Sequence, residues 1–136
     1  MIGKTTAILL LVALAATACT DDAAPAPPPE NRRLQTASQG LCDAQILVTE
    51  GRIRDAASVF EADTHDYLHQ LADRLQEVDP ETAAQLLEAK QRVERALAEG
   101  RDPPGTQDLL VRLQRALGDA AAAVDLPAPL CREGAS

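Results

Sequence analysis

Residues 52–78 read RIRDAASVFEADTHDYLHQLADRLQEV and form the longest uninterrupted stretch of the chain with helical spacing. Apolar side chains recur there every three or four residues, at Ile53, Ala57, Phe60, Tyr67, Leu71, Leu75 and Val78, with Thr64 in the remaining place. Such spacing turns one apolar stripe toward a core and leaves the opposite face in water. The stretch predicts a long amphipathic helix, and it holds the single Phe, the single Tyr and both histidines of the protein.

The two histidines fall outside the centre of the apolar stripe. At about 100° per residue, His65 lies roughly 110° from the stripe centre and His69 roughly 150° from it. These positions predict a side chain at the boundary of the core for His65 and a solvent-exposed side chain for His69. Phe60 and Tyr67 are predicted to belong to the core.

Length and composition restrict both the fold and the partners. The chain has 136 residues, which is room for one domain, and a net charge of −8 at pH 7. Trp is absent and aromatic residues are scarce, so the core must consist of Leu, Val, Ile and Ala, two of which are strong helix formers. We therefore expect an all-α fold. The negative charge argues against nucleic acid or an anionic lipid surface as a binding partner, because both repel it.

Three further helices are predicted around the central one. They cover residues 36–50, 80–99 and 106–124, and together with residues 52–78 they form a small up-down bundle of four helices. Lys90 falls near the inward stripe of the third helix, where we expect it to reach water or to pair with an acidic neighbour.

The ends of these helices carry recognisable capping residues. Asp79 is a good N-cap, and Pro80 fits the first helical position of the third helix. Gly100 is predicted to end that helix, and Thr106 to cap the last one. Pro127 and Pro129 then prevent the last helix from continuing.

Gly51 leaves two arrangements open for the first half of the domain. It can end the first helix, or it can lie inside one continuous helix over residues 39–78 at a cost of about 1 kcal/mol. A break makes the four helices alternate in direction, which brings Cys131 close to Cys42. An unbroken helix separates the two cysteines by the length of a rod. We prefer the break at Gly51, because we expect a disulfide between these two cysteines, as argued below from the number of cysteines.

The first residues are an export signal. Lys4 supplies the positive charge, and residues 7–16 (AILLLVALAA) form an apolar segment too short to span a bilayer. The sequence Ala16-Thr17-Ala18-Cys19 resembles the lipobox of bacterial lipoproteins, although Ala16 stands where Leu is commonest. The resemblance covers only about the first twenty residues, of which residues 1–18 are the predicted signal peptide. It implies that Cys19 carries a lipid such as palmitate and becomes the mature N-terminus. An ordinary signal-peptidase site would be cut at the same bond and would release a soluble protein.

Three cysteines are present, at positions 19, 42 and 131. If Cys19 takes a lipid, Cys42 and Cys131 remain as a pair in an oxidising compartment, and we expect a disulfide between the first helix and the C-terminal tail. The alternatives are two unrelated buried thiols or an intermolecular bridge.

The domain boundaries follow from composition. Residues 19–35 are rich in Pro and Ala and are predicted to form a lipidated, disordered tether. The helical domain is then expected over residues 36–132, its tail folding back to dock Leu130 and Cys131, with a frayed end over residues 133–136.

His65 and His69 have the i,i+4 spacing at which two imidazoles on one helix can share a metal ion. Glu61, one turn before His65, could add a carboxylate, and such ligands suit Zn²⁺ or Cu²⁺. The competing interpretation is a pair of solvated surface histidines, since the chain has no third histidine.

No enzyme signature occurs in the sequence, neither a G-x-S-x-G motif nor a glycine-rich phosphate loop, so we do not expect an enzyme. We expect a lipoprotein anchored in a bacterial cell membrane and facing the periplasm or the cell exterior. Its role would be that of a non-catalytic binding or structural module for another envelope protein. The alternative function is metal binding at the envelope through the histidine pair.

Overall fold

The computed structural model describes residues 29–100 and 102–132, and the regular secondary structure of these residues is entirely helical. The elements are α1 (Pro29–Thr49), α2 (Ile53–Phe60), a π-helical turn (Glu61–His65), α3 (Asp66–Val78), α4 (Pro80–Glu99) and α5 (Pro103–Ala123). Because α2, the π-helical turn and α3 follow one another without a break, the described residues form four helical rods. The predicted all-α bundle of four helices is confirmed.

Helix α1 begins at Pro29, seven residues before the predicted start at residue 36. Leu34 and Ala37 are fully buried and extend the apolar stripe of Leu41 toward the N-terminus. The charged residues around Leu34 conceal this stripe in the sequence, while Pro29 is compatible with a first helical turn. Residues 29–35 thus belong to the bundle and not to the tether. The signal peptide, Cys19, the rest of the tether and residues 133–136 lie outside the described residues.

The chain reverses direction at Gly51, as predicted. Gly51 has φ of +75°, in the left-handed region that favours glycine, and its N–H donates to the carbonyl of Val48 at 3.0 Å. Arg52 N–H donates to the carbonyl of Leu47 at 2.8 Å, which completes the end of α1. The predicted disulfide is also present, since Cys42 and Cys131 are bonded with their Cα atoms 5.8 Å apart. The break and the disulfide are therefore both confirmed.

The predicted start and end of α4 are confirmed. The Asp79 carboxylate accepts hydrogen bonds from the hydroxyl of Thr82 at 2.7 Å and from its backbone N–H at 3.0 Å, and these bonds hold the pKa of Asp79 below its usual range. Gly100 ends the helix with φ of +64°.

Helix α5 begins three residues earlier than predicted. Its N-cap is Asp102, whose side chain accepts from the Gly105 N–H at 3.3 Å, and its first helical residue is Pro103. Proline lacks the N–H that the first turn of a helix leaves unpaired, so the prolines of this segment lie inside the helix. Thr106, predicted to be the cap, is buried, and its hydroxyl donates to the Asp102 carbonyl at 3.1 Å.

The core consists of Leu, Ala, Val and Ile with Phe60 and Tyr67, as the composition requires. Val78, counted in the predicted stripe, is exposed because it is the last residue of α3. Leu130 is also exposed, so the tail docks through Cys131 and Leu126 and not through Leu130.

The π-helical turn is packed closely against α1. The Thr64 hydroxyl is fully buried and donates to the carbonyl of Ala37 at 3.0 Å. Gly40 leaves room for this contact, because a Cβ atom there would lie 2.5 Å from the Thr64 hydroxyl oxygen and 2.8 Å from Cβ of Asp63. The π-helical turn and α1 thus approach each other closely at Gly40. This approach involves the extra residue of the turn and requires a residue without a side chain at position 40.

Replacing Gly40 by Ala is expected to lower the free energy of unfolding by about 1–3 kcal/mol, since the added methyl group must displace the π-helical turn. Gly118 is the matched control: it is also helical, and an added Cβ atom would meet nothing within 4 Å. Gly118→Ala should raise stability by about 0.5–1 kcal/mol. Urea denaturation measures both changes. Equal effects of the two substitutions would contradict the close packing at Gly40.

Candidate functional site

A chain of polar side chains joins the π-helical turn to α4. Nδ1 of His65 lies 2.7 Å from Oε1 of Glu94, and Nζ of Lys90 donates to the same oxygen at 2.6 Å. Glu61 approaches from the same side, with Oε2 at 3.5 Å from Nδ1 of His65. We call His65, Glu94 and Lys90 the polar relay. It connects two rods that otherwise contact each other through apolar side chains.

The neighbours of Glu94 keep its carboxylate ionised although it is partly buried. Only 3% of the Lys90 side chain is exposed, whereas 31% of the Glu94 side chain is. Burial acts to raise the pKa of Glu94, but the hydrogen bond and charge of Lys90, followed by those of His65, outweigh it and hold the pKa below its usual range. Glu94 is therefore an ionised carboxylate at neutral pH. It is the negative partner that a buried ammonium group requires.

The predicted positions of the two histidines are confirmed. The His65 side chain is 26% exposed, at the boundary of the core, and His69 is exposed. Their ring centroids lie 5.0 Å apart, with the edge of one ring toward the other. The structure thus places side by side the two imidazoles that the sequence suggested as a pair.

Glu61, the possible third ligand of the predicted metal site, lies beside His65. Its carboxylate approaches Nδ1 of His65, which is the nitrogen that faces Glu94. Among residues 29–100 and 102–132, no group of three or more His, Cys, Asp or Glu side chains is arranged to hold a metal ion. The prediction of Zn²⁺ or Cu²⁺ at His65, His69 and Glu61 therefore stays a prediction.

Glu94 is the residue that the sequence did not single out. It lies 29 positions after His65 on another rod, so no local motif connects the two. A signal was nevertheless available, because Lys90 lies in an apolar stripe and Glu94 follows it at i+4. The expected acidic partner of Lys90 is confirmed, and His65 is the neighbour that only the tertiary structure adds.

The C-terminal tail (residues 125–132) is attached to α1, and a groove lies between the two. Besides the disulfide at Cys42, the backbone N–H of Arg132 donates to Oε1 of Gln39 at 3.0 Å. The tail and the first half of α1 enclose a shallow groove of about 700 Å³, and Pro127 and Leu130 are among its apolar residues. Leu130 is 65% exposed and offers the groove a large apolar side chain.

Comparisons of the chain with protein-family models, curated proteins and solved structures give no match. The described residues contain no membrane-crossing helix, because none of their helices combines the necessary length with sufficient apolar character.

Proposed function

We propose that the protein is an exported lipoprotein, anchored in a bacterial cell membrane through Cys19, whose helical domain is a non-catalytic binding module for another envelope protein. The disulfide is the observation that carries this proposal. It pairs Cys42 with Cys131, which are two of the three cysteines of the chain, and Cys19 is the third. A stable disulfide is typical of an exported protein, and a lipid on Cys19 accounts for the odd thiol.

The anchor would keep the domain close to the membrane. Pro29, where α1 begins, lies ten positions after Cys19, and a chain of that length reaches at most about 35 Å. The groove between α1 and the tail would then be presented to proteins of the same membrane surface. Its exposed Leu130 suits an apolar contact with such a partner.

One cell experiment tests the anchor and the partner together. In this experiment a photo-crosslinking amino acid replaces Leu130, and the cells are grown with a palmitate analogue. A second protein with the same crosslinker also carries Cys19→Ala. We expect a palmitate-labelled protein that forms one discrete adduct on irradiation, and we expect Cys19→Ala to remove both signals. A crosslinker at exposed Glu88 is the control and should give no such adduct.

The outcomes separate the parts of the proposal. Palmitate label that persists in Cys19→Ala would refute the anchor. A labelled parent protein that yields no adduct from Leu130, or the same adduct from Glu88, would refute binding at the groove.

A second candidate function, binding of a transition-metal ion at the envelope, is favoured by one observation. The imidazoles of His65 and His69 lie side by side, with their centroids 5.0 Å apart. Titration of the purified protein with Cu²⁺ or Zn²⁺ tests it, and loss of binding in His65→Gln and in His69→Gln is the expected result.

A further inference from the structure

The hydrogen bond between His65 and Glu94 determines which edge of the imidazole can bind a ligand. Nδ1 of His65 lies 2.7 Å from Oε1 of Glu94, and because a carboxylate oxygen accepts hydrogen bonds, we assign the N–H of the ring to Nδ1. The lone pair is then on Nε2, at the edge of the ring directed away from Glu94. A carboxylate that holds one imidazole nitrogen while the other binds a metal ion is a recurrent arrangement in metalloproteins.

We propose that Nε2 of His65 and the imidazole of His69 bind a divalent transition-metal ion, and that Glu94 is the positioning residue that holds His65 for this task. The inference rests on the second candidate function, since it requires that the histidine pair binds a metal ion. In this arrangement Glu61 lies beside Nδ1 of His65, as Glu94 does, and is not a ligand of the metal ion.

Both ends of the hydrogen bond are fixed before any metal ion arrives. Glu94 is held by Lys90 at 2.6 Å, and the Lys90 side chain is almost completely buried. On the other side, Thr64 precedes His65 in the π-helical turn and is anchored to α1 through the carbonyl of Ala37. A ligand that is already oriented loses little conformational freedom on binding, which favours affinity.

The ligand set indicates the class of metal. Two imidazole nitrogens suit Cu²⁺, Ni²⁺ and Zn²⁺ better than Mg²⁺ or Ca²⁺, and Cu²⁺ forms the strongest complexes of this series. Two protein ligands leave the remaining positions to water, so the affinity should be moderate. The charged groups that face His65 are Glu61 on its own rod and Glu94 on α4, with Lys90 behind Glu94.

Calorimetric titration with Cu²⁺, together with electron paramagnetic resonance of the bound ion, tests the proposal. The full chain carries Cys19→Ala, so that no thiol competes for the metal. We expect one Cu²⁺ with hyperfine coupling to two imidazole nitrogens. His65→Gln and His69→Gln should each remove one nitrogen and most of the affinity. Glu94→Gln should keep both nitrogens but weaken binding by about tenfold.

Two further variants make the role of Glu94 distinguishable from a loss of structure. Glu88→Gln is the matched control, because Glu88 also pairs with a cation four residues away on α4, namely Arg92, but has no contact with His65. It should bind Cu²⁺ as the parent does. The double variant Lys90→Met/Glu94→Gln leaves no unpaired ammonium group in the core and should bind as weakly as Glu94→Gln.

Each possible result decides one step of the proposal. Absence of Cu²⁺ binding by the folded parent would overturn both the second candidate function and this inference. Binding that survives His69→Gln unchanged would overturn the assignment of the ligands. Binding that requires both histidines but is equally tight in Glu94→Gln and Glu88→Gln would overturn the role of Glu94 alone.

Discussion

Replacing Glu94 by Gln is expected to lower the free energy of unfolding by about 3 kcal/mol, at the lower end of the loss that follows when one partner of a buried ion pair is removed. The reason is Lys90, whose side chain is only 3% exposed and whose amino group would lose its carboxylate partner inside the bundle. The loss is at the lower end because Glu94 is 31% exposed and water already weakens the pair. Denaturation in urea at pH 7 measures the change.

Lys90→Met and the double variant Lys90→Met/Glu94→Gln complete a double-mutant cycle. Lys90→Met should lower the free energy of unfolding by less than Glu94→Gln does. The Glu94 carboxylate would still contact His65 and would remain partly exposed to water. The double variant should be more stable than Glu94→Gln alone, since the buried charge is gone. Glu88→Gln, on the exposed surface of the same helix, should change stability by less than about 1 kcal/mol. Additive effects of the two substitutions would contradict the relay.

The ion pair between Lys90 and Glu94 should also make the stability of the protein depend on pH, and the direction of that dependence follows from the pKa of Glu94. The pKa of Glu94 in the folded protein lies below its ordinary value of 4.5, because Lys90 and His65 together outweigh the opposing effect of burial. The stabilisation is complete above pH 4.5 and is lost as the pH falls through the lowered pKa. The stability difference between the parent and Glu94→Gln should therefore narrow below pH 4.5.

Removal of the disulfide is expected to lower the free energy of unfolding by up to about 4–5 kcal/mol. Cys42 and Cys131 are 89 positions apart, and closing so long a loop restricts the unfolded chain strongly in the chain-entropy account. Among the described residues, the end of the tail is also held to α1 by two hydrogen bonds between the Gln39 side chain and the backbone of Arg132, and both bonds are exposed to solvent. Reduction should also release the tail from α1 and open the groove.

The double substitution Cys42→Ser/Cys131→Ser and reduction of the parent protein test this prediction in the same denaturation experiment. Both should lower stability by a similar amount, and reductant should have no further effect on the double variant. Hydrogen exchange should show loss of protection near Arg132 while α4 stays protected. A parent protein whose stability is independent of reductant would contradict the contribution of the disulfide.

The sequence predicted those parts of the fold that depend on local chemistry. Gly51 and Gly100 mark helix ends because both adopt positive φ, and Asp79 caps a helix because its carboxylate is adjacent to free N–H groups. The helical wheel placed His65 at the boundary and His69 outside, since periodicity alone determines the face. The cysteine pairing followed from the number of cysteines, and it in turn favoured the break at Gly51 that makes the rods alternate in direction.

The parts that the sequence did not predict depend on contacts between helices. The start of α1 at Pro29 follows from burial of Leu34 against the other rods, and proline-rich composition obscures such burial. The π-helical turn depends on the contact of Thr64 with Ala37 beside Gly40. Glu94 became part of the site because α4 packs against α2 and α3, the helices on either side of the π-helical turn, and no spacing along the chain reveals His65 as its neighbour.

The mass of the N-terminal peptide of the mature protein, isolated from both the membrane fraction and the soluble fraction of the cells, tests the central claim most directly. The account predicts that the chain begins at Cys19 and that this residue carries covalently bound acyl groups. A mature chain that begins at Cys19 with a free thiol, and that is recovered outside the membrane fraction, would contradict it.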